Sequence, residues 1–349
     1  MEKNDILKEF LNQGLQVDSA ALDILMDNKK LFEEVLKIGG KGLPTVITKE
    51  FLSSLSPAHE KISVEKLSEI VKYRYMFIKK LLLDKMSGNV ISINKISEKT
   101  KDFSVIGLVS TRNGNITLED ATGKDNFKAD DESSKNIVED EVVGLICSRK
   151  DGTNHINEII FPDIPLRRSF TKGELARKAI FISGTLDKNT YDKLVDKIKI
   201  EHNATVFILG GTIPEGELKK FTSNTPYTTH VYTSTLQNHP VSVEIDTVKL
   251  LFLNGHDLDY YRKIWTDFDT LIINLLKKRN FHPTITPQSY DNRFLVETVP
   301  DIIIITDAED TRDLNYKGTT ILTMESIDKK PIYWLINLQT RETFKTVLS

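Results

Sequence analysis

The stretch PDIIIITDAED, residues 300–310, sets a run of isoleucines directly against Asp307, Glu309 and Asp310. A run this apolar reads as a strand buried on both faces. The loop leaving such a strand is where an open α/β sheet carries its chemistry. Clustered carboxylates are hard oxygen donors suited to Mg²⁺ or Ca²⁺, but an acidic loop without ligands from other strand ends is also an ordinary solvated turn or helix cap. A second candidate is FLNGHD, residues 252–257. Its Asn254, His256 and Asp257 offer either a one-metal site or a general-base pair, against the plainer reading of a loop histidine making ordinary hydrogen bonds. The third, LGGTIPEG at 209–216, looks like a glycine-rich phosphate loop yet lacks the Lys-Ser/Thr that completes one. Its glycines read as turn residues.

Composition narrows the classes. The chain has 349 residues, 39% hydrophobic and 28% charged, which describes an ordinary globular protein of two or three domains. A formal net charge of −3 excludes strong bulk attraction to nucleic acid, so any polyanion contact is a local patch. The lone cysteine, Cys147, makes no intrachain disulfide and no CxxC zinc site, which fits an intracellular compartment. The histidines are scattered, without an HxH or HExxH pair. No apolar run reaches the ~20 residues of a membrane span, and the charged N-terminus MEKNDILKEF is unlike a signal peptide.

The elements that must position these residues fall into blocks. Ile6, Leu7, Phe10 and Leu11 recur at helical spacing before Gly14. Asp18 is placed to cap a second helix bearing Leu22, Leu25 and Met26, and a third runs through Leu31, Phe32, Val35 and Leu36 to Gly39-Gly40. This gives a helical module over 1–56, a linker at SPAHEK (56–61), and a connecting helix within 62–88 whose stripe is read as Val64, Leu67, Val71, Phe77 and Leu81. Short β-like runs separated by Gly, Asn and Asp then occupy 89–165 and predict a small barrel. Within them ITLEDATG is a strand entering a D-x-T-G turn, a pattern common in OB-folds. From Lys178 the pattern becomes βα, with helices near 189–202 and across 258–279 and strongly apolar strands, as in a layered α/β domain.

The order of these blocks resembles the small (B) subunit of replicative DNA polymerases, most of all that of the archaeal family-D enzymes. The phrases carrying the resemblance are VKYRYMFIKKLLLDKMSGNVISI, VIGLVSTRNGNITLEDATG, DEVVGLI, IIFPDIPLRR, LKKRNFHP, FLVETVPDIIIIT and YKGTTILTM, which follow one another in the family's order. The resemblance implies a multi-domain α+β fold: helical module 1–56, connecting helix 62–88, OB-fold 89–165, and a calcineurin-like phosphoesterase domain over 170–349. It also implies a two-metal site built from carboxylates, an amide and histidines at strand ends, and here each expected motif fails. The D-x-H motif reads Gly184 and Leu186; the GD motif reads Gly211-Thr212. The GNHD motif has no counterpart between Thr222 and Leu236, and near Asn254 the histidine, His256, is late. The GHxH motif is Thr306, Asp307, Ala308 and Glu309.

The expectation is therefore a non-catalytic small subunit with no cofactor and a lost metal site. It would dock a large catalytic polymerase subunit, meet DNA within the holoenzyme, and reside in the cytoplasm of an archaeal or viral host cell, or in the nucleus if eukaryotic. Arg112, Lys124, Lys128, Arg149 and Lys150 are the candidate DNA contacts on the barrel, opposed by the acidic run ADDESSKNIVEDE (129–141) and with Phe103 and Phe127 as the only aromatic stackers. Two alternatives remain. One is a 3′–5′ exonuclease with a rearranged metal set drawn from Asp187, Glu215, His256, Asp307 and Glu309; the other is an OB-type single-strand binder.

Overall fold

The fold is given by a computed structural model, which describes residues 3–12, 16–18, 21–22, 25–26, 32, 35, 46–47, 63–86, 88, 90–113, 115–130, 134–166, 168, 171–199, 201, 204–209, 228–234, 240–286 and 292–348. They fall into two units, Met1–Ser63 and Val64–Ser349.

In the first unit, helix α1 (Lys3–Asn12) buries Ile6 and Phe10, while Leu11 is exposed. Strands β1 (Gln16–Val17) and β2 (Val46–Ile47) form a short parallel pair. Asp18 caps the next helical turn as its position predicts, its Oδ1 accepting from the Ala21 amide at 2.7 Å. Phe10 meets Phe32 edge to face at 5.7 Å, beside Leu22, Leu25, Val35 and Ile47. Gly14, Gly39, Gly40 and the linker 56–61 lie outside the described residues.

The second unit opens with α2 (Val64–Lys85), whose buried residues are Arg74, Ile78 and Leu82. The stripe expected from sequence is corrected here: Val64 is exposed, and Leu67, Val71, Phe77 and Leu81 are only half-buried. The helix is rotated because Ile78, Leu82 and Met86 pack on Ile106 and Val142 of the barrel and on Leu295 of the C-terminal domain. The barrel comprises β3 (Asp102–Asn113), β4 (Asn115–Asp120), β5 (Gly123–Lys128), β6 (Val142–Lys150) and β7 (Thr153–Ile160). It closes in the order β3-β4-β5-β7-β6, with β5 and β7 parallel. The D-x-T-G turn between β4 and β5 is held by Asp120, whose carboxylate accepts from the Ile93, Thr122 and Gly123 amides. Burial alone would raise that carboxyl's pKa, but these donors outweigh it and hold it below the ordinary value. Phe103 and Phe127 fill the barrel core, so neither is a surface stacker. Cys147 lies among them, its thiol pushed up to about 12 by burial and so unreactive.

The C-terminal domain has a sheet of β8 (Lys178–Ser183), β9 (Ala204–Leu209), β10 (Thr228–Ser234), β16 (Ile332–Asn337) and β17 (Thr343–Val347), in the order β10-β9-β8-β16-β17. The other sheet holds β11 (Val241–Ile245), β12 (Val248–Asn254), β13 (Ile302–Thr306), β14 (Asp313–Tyr316) and β15 (Thr319–Thr323), in the order β11-β12-β13-β15-β14. Ala179, Phe181, Phe207, Trp334 and Ile336 of the first pack on Leu250, Phe252, Ile302, Ile304 and Leu322 of the second. Phe207 centres the seam, 5.1 Å from the rings of both Phe181 and Phe252. Helix α3 (Lys188–Ile198) covers the outer face of the first sheet through Tyr191, Leu194 and Val195. The outer face of the second sheet is covered by α4 (Asp259–Arg262) and α5 (Phe268–Lys277). The result is a helix–sheet–sheet–helix stack in which every residue of β9 and β13 is buried.

The single helix expected over 258–279 is thus two, because Asp267 starts a new one by accepting from the Thr270 amide at 2.8 Å. The run SVEIDTVKLLFLNG is a hairpin, turned by Asp246 and Thr247 at φ +48° and +69°. The segment joining barrel and sandwich is a docked strap. Asp163 N donates to Lys277 O at 2.6 Å, Ile164 is buried, and Arg168 binds Val299 O, Pro300 O and Asp301. Part of the acidic run 129–141 is built into the fold. Ile137 and Val138 are buried, Asp140 accepts from the Ile285 amide, and Glu141 pairs with Lys278 at 2.7 Å.

Candidate functional site

The strand ends converge where the isoleucine strand suggested. Parallel pairing aligns Asn254 with Thr306 and Ile305 with Thr323, and Ile327 N donates to Ser183 O at 2.8 Å. The ends of β8, β12, β13 and β15 therefore meet at one point, as a strand-end site requires. What they present there is mostly backbone and locally engaged side chains. Gly184 sits at φ +94°, and a Cβ on it would lie 2.0 Å from Ser326 Oγ. Leu186 is buried in the apolar cluster that holds Tyr191 and Leu194 of α3 and Ile327. Asn254 uses its side-chain oxygen to cap the following turn, accepting from the His256 amide at 2.8 Å, and its amide reaches Asp307 Oδ2 at 3.4 Å. A Cβ at Gly255 would lie 2.7 Å from Asp307 O, so the β12 and β13 ends press backbone on backbone.

Asp307 itself has left-handed backbone, φ +50°, which aspartate tolerates better than most residues. Ala308 is buried, and Glu309 points out and pairs with Arg262 Nη1 at 2.5 Å. His256 leans on Asp259 at 3.2 Å on its own turn. Asp187 caps α3, where the Thr190 amide holds its carboxyl below the ordinary range. Asp310 engages Arg312. Thr212 and Glu215 lie outside the described residues. Among the described residues no group of three or more His, Cys, Asp or Glu side chains could hold a metal ion. A two-metal centre needs several convergent donors, and the donors described at this junction do not fit one.

One titratable group here was not singled out for its burial by sequence. Asp257, in the turn after β12, has its carboxyl pushed up to about 6 by burial, against smaller opposing effects of the Asn254 backbone and Arg293. Its Oδ2 is buried without a partner among the described residues. A raised carboxyl pKa means the folded state holds the proton more tightly, so the contribution of Asp257 to stability is greatest below about pH 4, falls between 4 and 6, and stays lowered above. Asp257→Asn is expected to add about 1–2 kcal/mol at pH 7, after allowance for solvent screening. That gain should vanish at pH 4 in urea unfolding run at both pH values.

The barrel's basic residues are spread. Lys124, Lys128 and Lys150 are exposed, and Lys124 stands opposite Glu119 in the ladder. Arg149 is tied to Asn154 at 2.6 Å, which binds Asp125 in turn. For Arg112 the structure describes the backbone position in β3 only. Away from the strand ends, a groove of about 420 Å³ runs between β11–β12 and residues 293–300, lined by Glu244 and Glu297 as well as Lys249 and Arg293.

No family model matches the chain. Its sequence is similar to the DNA polymerase II small subunit of Thermoplasma acidophilum, 25% identical over 249 residues that cover 63% of this chain and 50% of that protein. The chain thus spans about half the length of the curated relative it matches. Among solved structures it is similar to Vps29 complexed with zinc from Entamoeba histolytica, at 11% identity, 49% of this chain, 99% of that one and a TM-score of 0.31. An archaeal phosphodiesterase matches at 14% identity, 49% of this chain, 99% of that one and a TM-score of 0.28.

Proposed function

We propose that this chain is the non-catalytic small subunit of a replicative DNA polymerase, docking and stabilising a large catalytic subunit. The observation that carries the reading is the similarity to a DNA polymerase II small subunit over 249 residues. In this reading the closed barrel, whose order β3-β4-β5-β7-β6 suits an OB-fold, and the two-sheet domain, taken as a degenerate calcineurin-like phosphoesterase, together form the docking platform. The domain limits are 62–88 for the connecting helix, 89–165 for the barrel and 170–349 for the phosphoesterase-like domain. The strand-end geometry supports the loss of chemistry: the junction is closed by Gly184 against Ser326 and by Gly255 against Asp307. A sheet keeps its fold when its loops lose their ligands, because packing and catalysis use different residues. DNA contact is assigned to the assembled enzyme, and a cytoplasmic or nuclear site follows from that role. No helix among the described residues is long and apolar enough to cross a membrane.

Co-expression with the polymerase large subunit encoded in the same genome tests this. A complex surviving gel filtration is expected, and its failure to form removes the reading. Single-stranded DNA incubated with the isolated chain and Mn²⁺ should remain uncut. Cleavage abolished by Asp307→Ala would instead establish the exonuclease.

A further inference from the structure

We infer that the outward face of α2 docks an acidic amphipathic helix of the large subunit, an inference that rests on the small-subunit reading above. One face of this 22-residue helix is spent on Arg74, Ile78 and Leu82. On the far side, Tyr73, Met76 and Leu83 remain 48%, 58% and 47% exposed. With Lys80 they recur at i, i+3, i+7 and i+10, the spacing of the seam between paired helices. Single exposed apolar residues are ordinary, but three on one line of one helix are a patch.

The charges around the patch decide the partner's chemistry. Lys80 lies within the seam, while Lys72 and Lys79 flank one edge, the latter over the Tyr75 ring at 5.4 Å. The carboxylates facing this side stand at its limits: Glu65 and Glu69 upstream, Asp84 beyond Leu83, and Glu297, which accepts from the Tyr73 hydroxyl at 2.8 Å. A helix presenting apolar residues to the seam, with glutamates or aspartates along the edge that meets Lys72, Lys79 and Lys80, satisfies both features. A basic partner would set like charges together along that edge.

The test uses the full chain and the co-expressed large subunit. Met76→Glu/Leu83→Glu should weaken the complex at least about tenfold while leaving the free chain's melting temperature unchanged. Lys72→Glu/Lys80→Glu should weaken it about three- to tenfold at 50 mM salt, with the difference fading by 0.5 M. Equal binding by wild type and both variants overturns the inference while leaving the small-subunit reading intact. A wild-type chain that binds no large subunit overturns both. A drop in the free chain's melting temperature, or a wild-type dimer that Met76→Glu/Leu83→Glu makes monomeric, shows the face already covered and overturns the inference.

Discussion

Replacing Lys278 by methionine is expected to destabilise the second unit by about 3–5 kcal/mol. Lys278 lies just after α5 and Glu141 just before β6, so their contact joins sandwich to barrel, and both side chains are 3% exposed. The ammonium also donates to Asn136 O at 2.5 Å and lies 4.2 Å from the Phe161 ring centre and 5.5 Å from that of Trp265. Glu141 spends its other oxygen on the Val138 amide at 2.7 Å. Methionine replaces the stem but leaves a buried carboxylate without its countercharge, the costly half of breaking such a pair. Lys278→Met/Glu141→Gln should recover most of the loss, because the stranded charge is removed with its partner. Urea unfolding followed by tryptophan emission, with Trp265 beside the pair, gives the energies. Hydrogen exchange should show extra opening over residues 136–142 and 161–168 in the single variant. A loss below about 1 kcal/mol would mean water already reaches the pair.

The contrast between this joint and the elements it connects shows what the sequence discloses. Caps and turns are local, so Asp18 and Asp187 act within three residues of themselves, and Asp120 holds its own turn the same way while also reaching the distant Ile93 amide. Asp18 and the D-x-T-G turn announce themselves by residue type, and Asp267 before Thr270 carries the same signal. The strands of highest apolar content, β9 and β13, were legible because burial on both faces leaves no polar alternation. The short edge strands β14 and β17 were not, since DLNY and TFKTV look like loop or solvated strand. The rotation of α2 was hidden because its sequence carries apolar residues on more than one stripe, and the choice between them is made by Ile106, Val142 and Leu295. Glu141 and Lys278 are far apart in sequence, and nothing near either announces the other. At the strand ends the scarcity of metal-binding residue types was legible, with Gly184, Leu186 and Ala308 standing there instead. The close approach of Ser326 to Gly184 was not, because Ser326 comes from another strand's loop.

That close approach makes a prediction about writing metal ligands into the strand ends. Gly184→Asp/Leu186→His writes the D-x-H pattern expected from the resemblance into the end of β8, and it is expected to cost about 3–5 kcal/mol and to bind no Mn²⁺. A non-glycine residue at φ +94° carries about 1–3 kcal/mol of strain. Its Cβ would also fall 2.0 Å from Ser326 Oγ, 3.1 Å from Asp328 Oδ1 and 3.2 Å from the Ile327 amide. That segment is not free to withdraw: Ile327 N is bound to Ser183 O, Ser326 Oγ to Asp328, and Ser326 O accepts from the Lys329 and Lys330 amides. A histidine at 186 would further bury a polar ring among Tyr191, Leu194 and Val195. The matching variant at β13, Asp307→His/Glu309→His, should stay within about 1 kcal/mol of wild type. Its left-handed position at 307 tolerates histidine, and the Glu309 side chain is 82% exposed. Urea unfolding of both variants with Mn²⁺ calorimetry separates the cases. If the β8 variant melts like wild type and takes up Mn²⁺ stoichiometrically, the junction is an open site. If it fails while the β13 variant is tolerated, the backbone at the end of β8 leaves no room for metal ligands, and no exchange of side chains alone would create a site there.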